Sequence, residues 1–464
     1  MTVTCRVTVD AGATLEPRLL GLGMQAGPYE WFDLGDDDWH TMLTRLERLR
    51  PGLLRVMLRA WWYAKGFDER GEPVYDWSSP QLTRLYRLLD FARAHDIDVV
   101  TGEWDDPSAV GDRPPGDPLH HYGITATDPR WARLVGDFLH QLLDVRGYGN
   151  VRYYTLINEP NGDWSHCGDR PTWERAVSTL AAELDRRGLS GRISIVGPDT
   201  TGADHWVATT VDSLSSVIGE YEIHRYATAC DLDGGAFEAQ MAELRAYISD
   251  HDSAAKRFFI GEAGIARPGP DDSQPARTTF RYGVRMADYV VQALRAGLAG
   301  VIAWNLDDAM FVGGGYGALD LKGWGCWNIV GGRHGYPLSD RDLRPWGYAW
   351  AALSTAFPHG ARSVAVPATG APGLRVAAAT DPTGERLSVA VVNTADEPRR
   401  VELTVDGLGT TSPLAEYRYF ADDRPAGADG FPVPAATRTA PSGPVTVELP
   451  SAGLTVLTGI DGRS

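Results

Sequence analysis

A chain of 464 residues is long for a single core, so its length predicts one large and one smaller domain. Its formal charge of -17, from 61 acidic against 44 basic side chains, would repel a phosphate backbone; no basic stripe interleaved with aromatics offsets that field, which argues against nucleic acid as a partner. No run approaches the roughly 18 apolar residues that span a bilayer, and the opening MTVTCRVTVDAGATLEP lacks a cationic then apolar leader, so the expectation is a cytoplasmic protein with no membrane partner.

The opening VTCRVTVD alternates like a half-buried strand. With no helix between it and the next strand, it is predicted to cross back onto a C-terminal sheet. Eight apolar or β-branched runs come next: LLGLGMQ (19–25), LLRVML (53–58), DIDVVTGEW (96–104), VRYYTLINE (151–159), ISIVGPD (193–199), YEIHRYA (221–227), RFFIGEAG (257–264) and GVIAWNLDD (300–308). Helical periods follow them. In SPQLTRLYRLLDFARAHD, Ser79 is a cap, Pro80 sits in the first turn, and Leu82, Leu85, Leu88, Leu89 and Ala92 make one apolar face. DPRWARLVGDFLHQLL repeats the device with Asp128 and Pro129, and PTWERAVSTLAAELDRRG ends on Gly188, suited to a left-handed cap. Strand–helix alternation repeated eight times predicts a parallel sheet closed into a (β/α)8 TIM barrel.

After RPWGYAWAALSTAF (344–357) the helical period stops. LRVAAAT, RLSVAVVNT, RRVELTVDG, AEYRYFA, GPVTVELP and GLTVLTGI then alternate between Gly, Pro, Asp and Thr clusters, which predicts a C-terminal antiparallel β-sandwich. The expected organisation is 1–14 as an N-terminal strand joining the sandwich, 15–357 as the catalytic barrel and 358–464 as the sandwich.

In such a barrel the chemistry sits at the C-terminal strand ends. Glu159 ends strand four and Glu262 ends strand seven. If Phe258 and Ile260 fill the barrel, Glu262 points inward above them. Asn158 and Glu159 are adjacent and would face opposite ways in a regular strand, so the chain must bend or bulge there for both to reach the cleft; Pro160 helps end the pairing. Two carboxylates across a barrel mouth suit glycosidic cleavage, with retention at a separation of about 5 to 5.5 Å and inversion at about 6.5 to 9.5 Å.

LINEP, FFIGEAG, EIHRYA and VIAWNLDD, at the ends of strands four, seven, six and eight, resemble clan A of the retaining glycoside hydrolases. The trailing sandwich with an N-terminal contribution is most similar to family 39, with family 5 a near second. The resemblance implies that Glu159 is the acid/base and Glu262 the nucleophile. It further implies that Asn158 holds the sugar 2-hydroxyl, that Arg55 steadies the nucleophile and favours its ionised form, and that His224 and Tyr226 contact the nucleophile or its subsite. Trp304 would floor that subsite beside a non-proline cis bond, and Trp104 and Trp164 are further candidates for substrate contact. TGEWDDPS, after strand three, and the long segment from Ala309 to Asp340 follow no pattern of either family.

Each choice has a plainer rival, such as a solvated loop acid for Glu159, a surface ion pair for Arg55 or ordinary packing for Trp304. His120-His121 and His166-Cys167 lack an HExxH or a matching ligand pair, so no metal is expected. Cys5, Cys167, Cys230 and Cys326 lie far apart without CxxC spacing, as reduced and mostly packed thiols do. GLGMQAG misses the GxGxxG spacing, and neither a P-loop nor GxSxG occurs, so no cofactor is expected. The reading is a retaining glycosidase acting on an oligosaccharide or glycoside, exo-acting because long loops after strands three (105–127) and eight would narrow the cleft. Alternatives are an inactive carbohydrate-binding protein, a transglycosylase or an endo-glycanase.

Overall fold

The computed structural model describes residues 3–27, 30, 34–107, 119, 122–266, 275–312, 319–329, 341–408, 412–438 and 444–460. Eight strands close into a barrel. In chain order they are Gly21–Gln25, Leu53–Leu58, Asp98–Glu103, Val151–Thr155, Ser194–Thr201, Ile218–Ala227, Phe258–Ile265 and Gly300–Ala303. Every neighbouring pair is parallel. The eight predicted runs are these eight strands.

Local chemistry starts and stops the intervening helices. Ser79 Oγ accepts from the Leu82 N–H at 3.3 Å ahead of Pro80–Ala94. Asp128 accepts from Arg130 N–H at 2.8 Å ahead of Pro129–His140, and Asp169 accepts from Thr172 N–H at 2.8 Å ahead of Arg170–Arg186. Gly188, at φ +70°, follows the last of these, a conformation that costs glycine nothing.

The barrel interior is filled by Leu20, Leu53, Val100, Tyr153, Val196, Phe259, Ala299 and Ile302, one buried apolar cluster drawn from around the ring. Phe259 therefore fills the barrel. Phe258 and Ile260 instead pack outward with the helices, opposite to the expected alternation. Glu262 still reaches the interior because the ladder between strands six and seven slips: Ile223 pairs with Ile260, but His224 pairs with Glu262. The bulge at Gly261 resets the parity.

The sandwich has two sheets. A three-stranded one joins Val3–Asp10, Arg399–Asp406 and Val445–Leu449, and a seven-stranded one runs in the order Thr14–Glu16, Arg362–Val364, Leu374–Thr380, Leu387–Asn393, Gly453–Thr458, Leu414–Tyr419 and Ala436–Arg438. The N-terminal segment supplies one strand to each sheet. Val3–Asp10 pairs with Arg399–Asp406 in parallel, so the sandwich is antiparallel except at this junction. Alternate residues of the large sheet face two ways: Val376, Ala378, Val389 and Val391 toward the small sheet, Ala377, Ala379, Ala390 and Val392 toward the barrel helices. A sheet covered on both faces reads as a nearly continuous apolar run, as LSVAVVN does.

Candidate active site

The C-terminal half of the barrel interior is polar where the other half is apolar. Arg55 lies at its centre, on strand two, with no exposure. Its Nη1 donates to Glu262 Oε1 at 2.6 Å and to Gln25 Oε1 at 3.0 Å. Its Nη2 donates to Asn158 Oδ1 at 2.8 Å and to Asp199 Oδ2 at 3.2 Å. One guanidinium thus ties together groups from strands one, two, four, five and seven.

Strand four ends at Thr155, and the chain turns before Asn158 and Glu159. Glu159 has φ +45°, in the left-handed region that side-chain-bearing residues seldom adopt, and its N–H donates to Asp199 Oδ2 at 3.1 Å. This local twist brings both adjacent side chains to the cluster. Along strand six, Glu222, His224 and Tyr226 alternate onto one face. Tyr226 donates its hydroxyl to Glu262 Oε2 at 2.7 Å. His224 Nδ1 lies 2.9 Å from Glu159 Oε1 and 3.4 Å from Glu262 Oε2, while Nε2 lies 3.1 Å from Asp199 Oδ1. Carboxylate oxygens of Glu159 and Glu262 come within 4.8 Å of each other.

Electrostatics follow from burial and this mesh. Burial works against a charge on Asp199, yet His224 and Arg55 hold its carboxyl far below the usual range. Burial also opposes a charge on His224, yet Asp199 and Glu262 hold its proton affinity well above that of an ordinary imidazole. Burial raises Glu262 above the ordinary carboxylate value; His224 and Arg55 pull it back without overcoming that rise. Arg55 does favour the ionised form, as expected, but desolvation outweighs it. Burial, reinforced by Asp199, pushes Glu222 well up.

Two overlapping triads, Glu159/His224/Glu262 and Asp199/Glu222/His224, have the atom spacing of metal ligands. Both depend on His224, whose two ring nitrogens each already face a carboxylate oxygen, Glu159 Oε1 at 2.9 Å and Asp199 Oδ1 at 3.1 Å.

Aromatic groups stand beside the cluster. Trp304, at the end of strand eight and joined to Asn305 by a cis peptide, packs edge-on to Trp104 at 6.0 Å between centroids and against Trp324 at 5.3 Å. Trp104 also lies 5.9 Å from the Arg55 guanidinium, and its Nε1 donates to Glu30 Oε2 at 2.6 Å. Burial pushes the Glu30 carboxyl up to about 8. Buried Arg277 donates to the main-chain oxygens of Trp304, at 2.6 Å, and Trp324. Glu103, by contrast, is bonded to the Tyr63 hydroxyl at 3.1 Å and accompanies the outer core.

Of the candidates from the sequence, Arg55, Asn158, Glu159, His224, Tyr226 and Glu262 form one hydrogen-bonded cluster, with Trp304 and Trp104 alongside. Trp164 does not join them: it is 56% exposed on the turn after strand four, where its ring covers Gly162. Asp199, Glu222 and Gln25 are the members the sequence reading missed. A signal existed, since Asp199 closes a strand run in GPD and Glu222 shares the parity of His224 and Tyr226. Cys167 is buried and His166 is exposed in a left-handed turn, whereas His120 and His121 lie outside the described residues, as do much of the loop after strand three and residues 313–318 and 330–340 of the segment after strand eight.

No protein-family model and no curated protein matches the chain. Solved structures do. A GH30 endoxylanase from Clostridium papyrosolvens C71 superposes with a TM-score of 0.66 at 15% identity, covering 98% of this chain and 99% of that one. A GH39 enzyme from Xanthomonas axonopodis pv. citri gives 0.64 at 16% identity over 99% and 98% of the two chains. A GH39 β-xylosidase from Caulobacter crescentus gives 0.63 at 18% identity over 98% and 99%. The chain therefore has, end to end, the barrel-and-sandwich fold of these glycoside hydrolases. Family 39 stands among them as the sequence motifs imply, and family 30 joins it.

Proposed function

We propose that this protein is a retaining glycoside hydrolase. The observation that carries the reading is the approach of Glu159 and Glu262 oxygens to within 4.8 Å at the C-terminal mouth of the barrel. An approach this close fits the short carboxyl separation of retaining enzymes better than the long one of inverting enzymes. Glu262, with one oxygen held by Arg55 and the other by Tyr226, attacks the anomeric carbon while Glu159 gives its proton to the glycosidic oxygen. The aglycone leaves and the sugar is esterified to Glu262. Glu159, now ionised, takes a proton from water, whose oxygen attacks the same carbon and frees Glu262. Asn158, with Oδ1 engaged by Arg55, offers its amide N–H2 to the 2-hydroxyl, and Trp304 and Trp104 give the sugar an apolar wall.

The named neighbours include an endoxylanase and a β-xylosidase, so an aryl β-xyloside is the first probe, within a panel of aryl glycosides. Exo action rests on the loop lengths in the sequence and is tested by the products from short oligosaccharides. Glu262→Ala is expected to lower kcat by about 10⁴-fold or more, with azide restoring turnover to give a glycosyl azide of inverted configuration. In Glu159→Ala, azide intercepts the ester and gives the retained configuration. Saccharide binding without turnover on any member of the panel would sink the enzyme reading and leave a carbohydrate-binding protein.

A further inference from the structure

Beneath the two reacting carboxylates lies a second acid pair that the double displacement does not use. Asp199, at φ +58° on strand five, gathers donors from three directions. Its Oδ2 accepts from the Glu159 main-chain N–H at 3.1 Å and from Arg55 Nη2 at 3.2 Å, and its Oδ1 faces His224 Nε2 at 3.1 Å. Glu222 stands next to it, 1% exposed, and neither of its oxygens meets a protein donor among the described residues. Oxygens of Asp199 and Glu222 and a nitrogen of His224 lie within 4.8 Å of one another. Two bare carboxylates so placed and so buried repel; one proton between them turns Glu222 into a donor to Asp199.

His224 is then enclosed by acids on both edges of its ring. Nδ1 faces Glu159 Oε1 at 2.9 Å and Glu262 Oε2 at 3.4 Å, and Nε2 faces Asp199 Oδ1 at 3.1 Å and Glu222 Oε1 at 3.6 Å. A neutral imidazole has one N–H and would turn a lone pair toward a carboxylate at the other edge. With Asp199 ionised at one edge and Glu262 at the other, the doubly protonated ring donates to an anion at each.

We propose that Asp199, sharing one proton with Glu222, is the positioning group of the site: it locks His224 as an imidazolium between Glu159 and Glu262 and, through Arg55 and the Glu159 amide, sets where both reacting carboxylates stand. This rests on the reading of Glu159 and Glu262 as the reacting pair. The charged groups facing His224 are Glu159 from the turn after strand four, Asp199 from strand five, Glu222 from its own strand and Glu262 from strand seven. Arg55, from strand two, lies behind the acids. Before attack, with Glu159 and Glu222 protonated, Arg55 and His224 balance Asp199 and Glu262. In the glycosyl ester Glu262 is neutral and Glu159 charged, and the balance holds again. A neutral His224 would leave an uncompensated buried anion in both states, which a low-dielectric interior penalises.

The test uses the full chain labelled with ¹⁵N-histidine, His224 being assigned by the signal lost in His224→Asn. In the wild type and in Glu222→Gln, whose amide can still donate to Asp199, the His224 ring nitrogens are expected at imidazolium positions without inflection between about pH 5.5 and 8.5. In Asp199→Asn they are expected to titrate within that window; kcat falls by about 100-fold while KM changes less than about threefold, and the pH–rate profile gains a limb. A wild-type His224 that titrates in the window, a Glu222→Gln variant in which it begins to, or an Asp199→Asn variant with wild-type signals and kcat would each overturn the proposal. The wild-type and Glu222→Gln spectra decide it even if Asp199→Asn does not fold. Because the spectra need no substrate, failure on every aryl glycoside with His224 still an imidazolium would sink the hydrolase reading and not the electrostatic one.

Discussion

In the proposed mechanism Glu262 is the nucleophile, in a place where burial favours its protonated form, so the groups that pull it back toward ionisation matter individually. Tyr226 is one of them, donating to Oε2 at 2.7 Å. Since Glu262 must be ionised to attack, kcat/KM is expected to fall as pH drops through its raised pKa. Removing a hydrogen bond that favours the anion raises that pKa further. Tyr226→Phe is therefore expected to move the acid limb of the kcat/KM profile to higher pH and to lower the plateau by roughly 10-fold, the worth of one hydrogen bond to a charged group. An acid limb that stays where it was, measured over the same buffers, would show that Tyr226 does not tune the nucleophile. At this scale the sequence was legible where a residue type has few other reasons to stand at a strand end. Asn158-Glu159-Pro160 and the His224/Tyr226 alternation are such places. Trp164 stands apart from the cluster, 56% exposed, because a tryptophan on a turn after strand four can as readily lie on the surface and nothing local distinguishes the two.

At the scale of the elements, the positions of Glu159 and Glu262, the proposed reacting pair, are set by departures from regular strand. The bulge at Gly261 turns Glu262 inward, and the left-handed residue at Glu159 twists the turn that follows strand four. Gly261 is needed there because an added Cβ would sit 1.7 Å from Glu222 Oε1, a contact that forces the buried carboxyl or the strand to move. Gly261→Ala is expected to destabilise the fold by about 1–3 kcal/mol, as overpacking does, and to depress kcat more than KM because Glu262 is its neighbour. Chemical denaturation and steady-state kinetics read the two effects separately; a variant with an unchanged midpoint and kcat would remove the bulge from the argument. Periodicity located all eight barrel strands, but parity failed on strand seven. Alternation propagates an error when one residue is inserted in the ladder, and a bulge leaves no mark in the sequence beyond a glycine that could serve many purposes.

Across the whole molecule, barrel and sandwich are joined by packed apolar faces and by a buried ion pair. Arg375, from the large sheet, donates to Asp288 Oδ1 and Oδ2 at 2.9 and 3.0 Å and to the Leu232 carbonyl at 2.8 Å. Asp288 lies on the barrel helix Phe280–Arg295, and burial pushes it up to about 6 against the pull of Arg375. The folded state thus holds this proton more tightly than the unfolded chain. The resulting stability is complete below the ordinary aspartate value of 3.8 and is lost as pH rises through about 6. Arg375→Met leaves the acid unpaired, so it is expected to cost about 3–5 kcal/mol at neutral pH, with the gap to wild type narrowing as pH falls from about 8 to 5. A pH-independent gap, from thermal or urea unfolding, would mean that the pair contributes packing and not charge.

The order of elements, the closed barrel, the sandwich and the return of the N-terminal segment to it were all determined by the sequence, because each is written in local periods and in the turn residues that break them. So were the two glutamates and most of their neighbours, since chemistry-bearing residues at strand ends share one face of a barrel whatever its details. Only the tertiary structure decided that strand seven slips by one residue and that the first strand pairs in parallel. It alone brought Asp199 and Glu222 under the site and let burial outweigh Arg55 on Glu262. Those outcomes depend on how many groups from different strands converge and how much water they exclude. Distance in space and dielectric surroundings are properties of the packed whole that no stretch of chain carries by itself.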